Sequence, residues 1–318
     1  MANSTILYAC TPGGLAIFNK PGTLPEWLPP RMVLEGQEVT SVWGEPGPPI
    51  RVLTTTNGTL VLSENGGRTW NAVTLPTSNI DSPVMALFYE PTTDVLFAIR
   101  YNGHLAMSAD EGATWEPLPS LPAEGCPLSL QLTHKTKHDN HFYFLLGESE
   151  RNVLYLGNPN HGNWRELVSD TLEEHEPCVL AVASDSGNLY ALTLGGVLTI
   201  DVEDREDKTV SAKLLAGSPT NGQTLAVIPG SDPAQPALIV GTPDGMQTSA
   251  DGGTTWQTAQ LPNSGGVAAV ERDPERRDRL YAGTDTGYIF ESGNRGQTWQ
   301  TVNHSPTHPV QCLYVVRI

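Results

Sequence analysis

Short apolar runs recur along the chain at a steady interval, separated by polar turns rich in Gly, Asn and Asp. Runs at 39–43, 84–88, 128–132, 179–182, 224–228 and 267–270 carry a small residue at one shared place: Ser41, Ala86, Ser129, Ala181, Ala226 and Ala269. Runs of this length bounded by turn signals predict strands. A second strand and a tight turn follow at 52–58, 96–103 and 238–245, where Asn-Gly or Asp-Gly between apolar runs signals a hairpin. A third strand then runs into a polar turn and a fourth leaves it.

That polar turn is the clearest repeat. Ser63, Asn65, Gly67, Thr69 and Trp70 spell S-x-[DN]-x-G-x-T-W, and Ser108, Asp110, Gly112, Thr114 and Trp115 repeat it. Ser249, Asp251, Gly253, Thr255 and Trp256 give a third copy, and Ser292, Asn294, Gly296, Thr298 and Trp299 a fourth. A decayed copy, one residue short, holds Asn160, Gly162 and Trp164, and Trp27 stands where another would fall with its turn lost. The tryptophans at 27, 70, 115, 164, 256 and 299 are spaced by 43, 45, 49, 92 and 43 residues, the long gap being two periods. Seven periods of about 45 residues fill a 318-residue chain, and 45 is the size of a four-stranded propeller blade. Chemically, Asp or Asn in a short turn accepts bonds from backbone N–H groups, Gly permits positive φ, and Trp buries a large ring between blades. The turn residues Asn65, Asp110, Asp251 and Asn294 and the rings of Trp70, Trp115, Trp256 and Trp299 therefore read as structural.

The pattern resembles the Asp-box, or bacterial neuraminidase repeat, of sialidases, xyloglucanases, sortilin-type receptors and photosystem II assembly propellers. The last blade, at 273–292, looks most like the repeats of xyloglucanase-type propellers. What the resemblance implies is the fold, and not any one activity.

The expected architecture is all-β: a single domain over 1–318, a seven-bladed propeller of four-stranded antiparallel blades. The N-terminal run at 6–14 matches a second strand, and the C-terminal run at 310–318 matches a first strand with nothing after it. The C-terminal strand should thus complete the first blade and close the ring. Blade five departs from the pattern, with a charged hairpin at 201–208 in place of the repeat turn.

Composition narrows function by exclusion. Lys and Arg number 18 against 35 Asp and Glu, a net charge of −17, which argues against nucleic acid or an anionic membrane as partner. No basic leader and no apolar stretch of membrane-spanning length is present, so the expected location is cytoplasmic. Cys10, Cys126, Cys178 and Cys312 are far apart and form no C-x-x-C pair, so they read as small strand residues, with neither zinc nor a disulfide signalled.

In a propeller, turns between strands two and three share one face with the links between blades, and the repeat turns lie on the other. Sialidase chemistry, as the resemblance implies it, needs three converging arginines and an Arg-Ile-Pro signature. The signature is absent, and only Arg100, Arg151 and Arg31 are placed to reach the linker face. Glycoside hydrolysis needs two facing carboxylates, and no pair is singled out by an aromatic platform. His134, His138 and His141 read as a polar turn, and no metal or cofactor site is expected. The reading is a non-catalytic binding or assembly platform whose partner is another protein with a basic surface. A glycoside hydrolase or glycan-binding propeller is the alternative. The candidate rim comprises Asp81, Glu124, Glu173, Glu174, His175, Glu176, His304 and His308.

Overall fold

The computed structural model describes residues 4–45, 47, 50–76, 82–90, 93–121, 125–132, 142–148, 151–182, 188–202, 209–230, 232, 235–263, 265–302 and 308–318. Their strands form seven four-stranded antiparallel sheets, a seven-bladed β-propeller. From the inner strand outward, blade 1 is Cys312–Arg317, Thr5–Thr11, Gly14–Lys20 and Arg31–Val33. Blade 2 is Val39–Glu45, Arg51–Thr56, Thr59–Ser63 and Asn71–Ala72, and blade 3 is Val84–Glu90, Val95–Arg100, Leu105–Ser108 and Glu116–Leu118. Blade 4 is Cys126–Leu132, Phe142–Gly147, Asn152–Gly157 and Arg165–Leu167, and blade 5 is Val179–Val182, Leu189–Thr193, Gly196–Asp201 and Ser211–Leu214. Blade 6 is Thr224–Ile228, Ala237–Thr242, Gly245–Ser249 and Gln257–Thr258, and blade 7 is Val267–Arg272, Leu280–Thr284, Ile289–Ser292 and Gln300–Thr301.

The chain divides into two compact units. One (Met1–Arg100, Ala106–Pro117 and Gln260–Ile318) holds blades 7, 1 and 2 and most of blade 3. Within it, Phe18, Trp27, Tyr281 and Leu313 bury the seam of blades 7 and 1, and Tyr8, Leu15, Val42 and Val52 bury the seam of blades 1 and 2. The other unit (Tyr101–Leu105 and Leu118–Ala259) holds blades 4 to 6. Leu145, Leu154, Leu180 and Leu198 lie between its blades 4 and 5, and Leu192, Val197, Leu225 and Leu238 between blades 5 and 6.

Inner strands crowd together, and the small residue that recurs in them has a second use. In blades 2, 3, 4 and 7 the ladder slips by one residue just before Ser41, Ala86, Ser129 and Ala269. Such a bulge bends the strand and leaves ladder groups unpaired. Where the small residue is serine, its hydroxyl meets the next inner strand: Ser41 Oγ accepts from Leu87 N (3.1 Å) and Ser129 Oγ from Leu180 N (3.2 Å). Crowding selects the size, and in these two blades serine adds a hydrogen bond to the next inner strand.

The C-terminal strand closes blade 1 as the chain ends predicted. Residues 312–317 pair antiparallel with 5–10, and Ser4 and Ile318 exchange two backbone hydrogen bonds. Cys10 and Cys312 stand opposite each other, Cα atoms 5.0 Å apart, and are joined as a disulfide. This corrects the expectation that no disulfide is signalled. A separation of 302 residues hides a pair that strand register makes adjacent. Cys126 and Cys178 are free thiols.

The link from blade 4 to blade 5, at 168–177, is not all loop. Residues Asp170–His175 form a short helix, α1. Ser169 caps it by accepting from Leu172 N (3.1 Å), and Asp170 and Glu173 place negative charge in its first turn. Among the described residues, no helix is long and apolar enough to cross a membrane.

Candidate functional site

The two faces are built by different hydrogen bonds. On one, blade links fasten to the preceding blade's turn between strands two and three: Gly36 N to Gly13 O (3.0 Å), Val84 N to Gly58 O (2.9 Å) and Val310 N to Thr284 O (2.9 Å). Asn57 and Gly58 both have positive φ (47° and 74°), the hairpin geometry that Asn-Gly favours.

The repeat turns on the other face satisfy themselves. Asp110 Oδ1 accepts from Thr114 N (2.8 Å) while its Oδ2 accepts from Thr114 Oγ1 (2.6 Å), and Ser108 Oγ accepts from Gly112 N (2.9 Å). Asp251 makes the same set with Thr255 and Ser249. Asn65 and Asn294 keep the backbone bond at 2.9 Å but donate from Nδ2 to Thr69 and Thr298 Oγ1, so the hydroxyl reverses its role. Bonds from Thr255, backbone first, push the Asp251 carboxyl down to about 2. Trp115, Trp256 and Trp299 each donate Nε1 to the turn's own glycine carbonyl at 3.0, 3.1 and 3.0 Å. In blade 2 that carbonyl, Gly67 O, is taken by Arg31 Nη1 (2.8 Å), and the buried Trp70 Nε1 has no partner among the described residues. Arg31 therefore serves the repeat-turn face, correcting its expected reach to the linker face. These carboxylates and amides bond within their own turns, which they close from inside.

The link from blade 4 to blade 5 is built otherwise. It carries α1, with Glu173 and Glu174 exposed and His175 half-buried. Glu176 ends the helix in the left-handed region (φ 46°, ψ 77°), a position Gly or Asn usually fills, and is exposed. Leu172 turns inward and is buried. Beside α1 lies a cavity of about 200 Å³, walled by Val153, Leu154, Leu167, Leu172 and Pro177. Glu166, Glu173, Glu176 and Arg151 also line it. Arg151 reaches Glu166 at 2.8 Å and Glu173 at 4.0 Å, and Asn152 Nδ2 is held by Pro177 O at 3.0 Å.

Of the expected rim residues, the structure gathers Glu173 and Glu176 at this cavity. Glu174 and His175 sit on the same helix. His308 is exposed on the link into the closing strand, its ring so close to Gly13 that a Cβ there would meet Cδ2 at 2.3 Å. Asp81, Glu124, His304 and the loop with His134, His138 and His141 lie outside the described residues, as does 203–208 of the charged hairpin. Arg100 is on the linker face and donates Nη1 to Ser82 O (2.5 Å). Sequence reasoning missed Glu166 and the apolar wall. Ser169 with acids after it and Pro177 beyond was the signal for α1.

No protein-family model matches the chain, and no curated protein does. Solved structures do resemble it. A structure described as YCF48 bound to D1 peptide has a TM-score of 0.62 at 15% identity, covering 89% of this chain and 85% of that one. A putative 6-phosphogluconolactonase from Bacteroides uniformis has a TM-score of 0.62 at 10% identity, covering 99% and 100%. An ancestral GH74 enzyme has a TM-score of 0.60 at 14% identity, covering 94% of this chain but 47% of its own length. At these identities the likeness shows the fold alone.

Proposed function

We propose that this propeller is a non-catalytic platform that binds another protein through the linker face, over α1 and the cavity beside it. The observation that supports this reading is chemical: the repeat-turn acids bond within their own turns, whereas among the described residues the Glu174 and Glu176 carboxylates meet no ion pair or hydrogen bond. A carboxylate without an internal partner is free to meet an outside one. Among the described residues that line the cavity, Arg151 is the one cation, beside the carboxylates of Glu166, Glu173 and Glu176, so the surface suits a partner with a basic patch. One of the propellers with this fold is described as bound to a peptide, and protein recognition is within the fold's range. The repeat turns, by resemblance Asp-boxes, serve the scaffold.

The test is capture from the native host with the wild type beside the Glu173→Lys, Glu174→Lys, Glu176→Lys triple variant. A protein retained by the first, lost by the second and released by salt is the expected result. Equal capture by both would remove the linker rim from the interface. Turnover of a glycoside by the purified chain would overturn the platform reading.

A further inference from the structure

We propose that the cavity beside α1 receives one aliphatic side chain of the partner, flanked in the partner's sequence by Lys or Arg. This rests on the platform reading above and adds what the partner must contribute. Size is the first argument. About 200 Å³ falls below the roughly 300 Å³ at which small-molecule and cofactor sites begin, and suits a single inserted side chain. Lining is the second. Leu154, Leu167 and Leu172 pack together at the cavity and offer no hydrogen bond from their side chains, so a cation or hydroxyl driven to the wall would lose its water without replacement.

The polar groups argue against a sugar. Asn152 Nδ2 is committed to Pro177 O and Arg151 to Glu166, so the neutral amide and the guanidinium that would orient a glycan are already engaged. Charge then sets the flanks. Among the described lining residues, three carboxylates stand against one guanidinium, which repels an acidic peptide and favours a basic one. Exposed ion pairs contribute little affinity by themselves, whereas an apolar anchor seated in a pocket often dominates binding. The acids choose the partner; the cavity holds it.

The probe is a series of capped pentapeptides, Gly-Lys-X-Lys-Gly with X as Leu, Ala or Trp, titrated against the full chain by saturation-transfer NMR. The Leu peptide should bind about tenfold tighter than the Ala peptide, with saturation strongest on its methyl hydrogens. Leu172→Ala widens the cavity and should move the preference from Leu to Trp, a gain that a misfolded variant cannot give. Glu176→Lys should weaken every peptide. Equal binding of the Leu and Ala peptides, no binding of any, or an unchanged preference in Leu172→Ala would overturn the anchor. Binding indifferent to X but abolished in the triple glutamate variant would overturn the anchor and leave the platform standing. Equal host capture by that variant would overturn the platform instead.

Discussion

The seam of blades 7 and 1 and the link from blade 4 to blade 5 are both rich in acids, yet use them in opposite ways. At the seam, Glu291 accepts from Lys20 Nζ (2.9 Å), Trp27 Nε1 (2.9 Å) and Gln300 Nε2 (2.7 Å). Burial opposes its charge, but the bonds from Lys20 and Trp27 outweigh that and hold its pKa below the ordinary value. Asp273, fully buried, accepts from Arg317 Nε (2.9 Å) and from the N–H groups of Glu275 and Arg276 (3.1 Å each). At the link, Glu173, Glu174 and Glu176 face water. Net charge alone, −17, cannot separate these cases. An acid whose bonding capacity is filled from within is architecture, and one left open is available to a partner.

The largest effect should come from breaking the seam. Arg317→Ala leaves the Asp273 carboxylate buried with only backbone donors, and loss of one member of a buried pair costs about 3–5 kcal/mol. Arg317 also anchors the strand that closes blade 1, so urea unfolding should report the loss directly. A change below about 1 kcal/mol would mean that the Cys10–Cys312 disulfide and the strand ladder hold the closure unaided.

One seam acid breaks the pattern, and it sharpens the comparison. Glu271 lies opposite Tyr281, which lies opposite Glu291, so all three share one face of blade 7. Yet Glu271 has no hydrogen-bond or ion-pair partner among the described residues, and burial pushes its carboxyl up to about 8, with Arg272 opposing only weakly. Tyr281, buried in the same seam, supplies no charge to balance it. Between its unfolded value near 4.5 and about 8, the folded chain keeps a proton that the unfolded chain has released. Stability should therefore fall as pH rises through that window, and the loss should be complete above about 8. Glu271→Gln should raise stability by roughly 2 kcal/mol at the alkaline end and flatten the slope. Identical pH profiles for variant and wild type would show the carboxylate ionised and solvated in the fold.

How far each region could be read in advance follows from the range of its interactions. The repeat turns are local, each closed within eight residues from serine to tryptophan, so spacing alone exposed the blades and their number. The chain ends were legible because an unpaired first strand and a missing one complete each other. Cys10 with Cys312 and Trp27 with Glu291 join residues far apart in sequence; strand register makes the first pair neighbours, and the packing of blade 7 on blade 1 the second. At the link, the glutamates were visible as an acidic run, but the cavity was not. Its walls come from strands of blade 4 and from Leu172 on a six-residue helix too short to show a period.

The smallest effect should come from a turn, where the acid's bonds can be rearranged without loss. Asp251 and Asn65 occupy the same place in their repeats, and Thr255 donates its hydroxyl where Thr69 accepts. A hydroxyl does either by rotating about its C–O bond. Asp251→Asn should thus keep the backbone bond from Thr255 and the closure by Ser249, and cost less than about 1 kcal/mol at neutral pH. The acid response should change more than the stability. Asp251 is held down to about 2, so its contribution is present above the unfolded value of 3.8 and is lost as pH falls through about 2. The asparagine variant should lose less stability than wild type over that acid range. Asp251→Ala, which removes the acceptor altogether, should cost about 1–3 kcal/mol. Asn and Ala variants of equal stability would show that the turn is held by its glycines and tryptophan, with the side-chain acceptor contributing nothing.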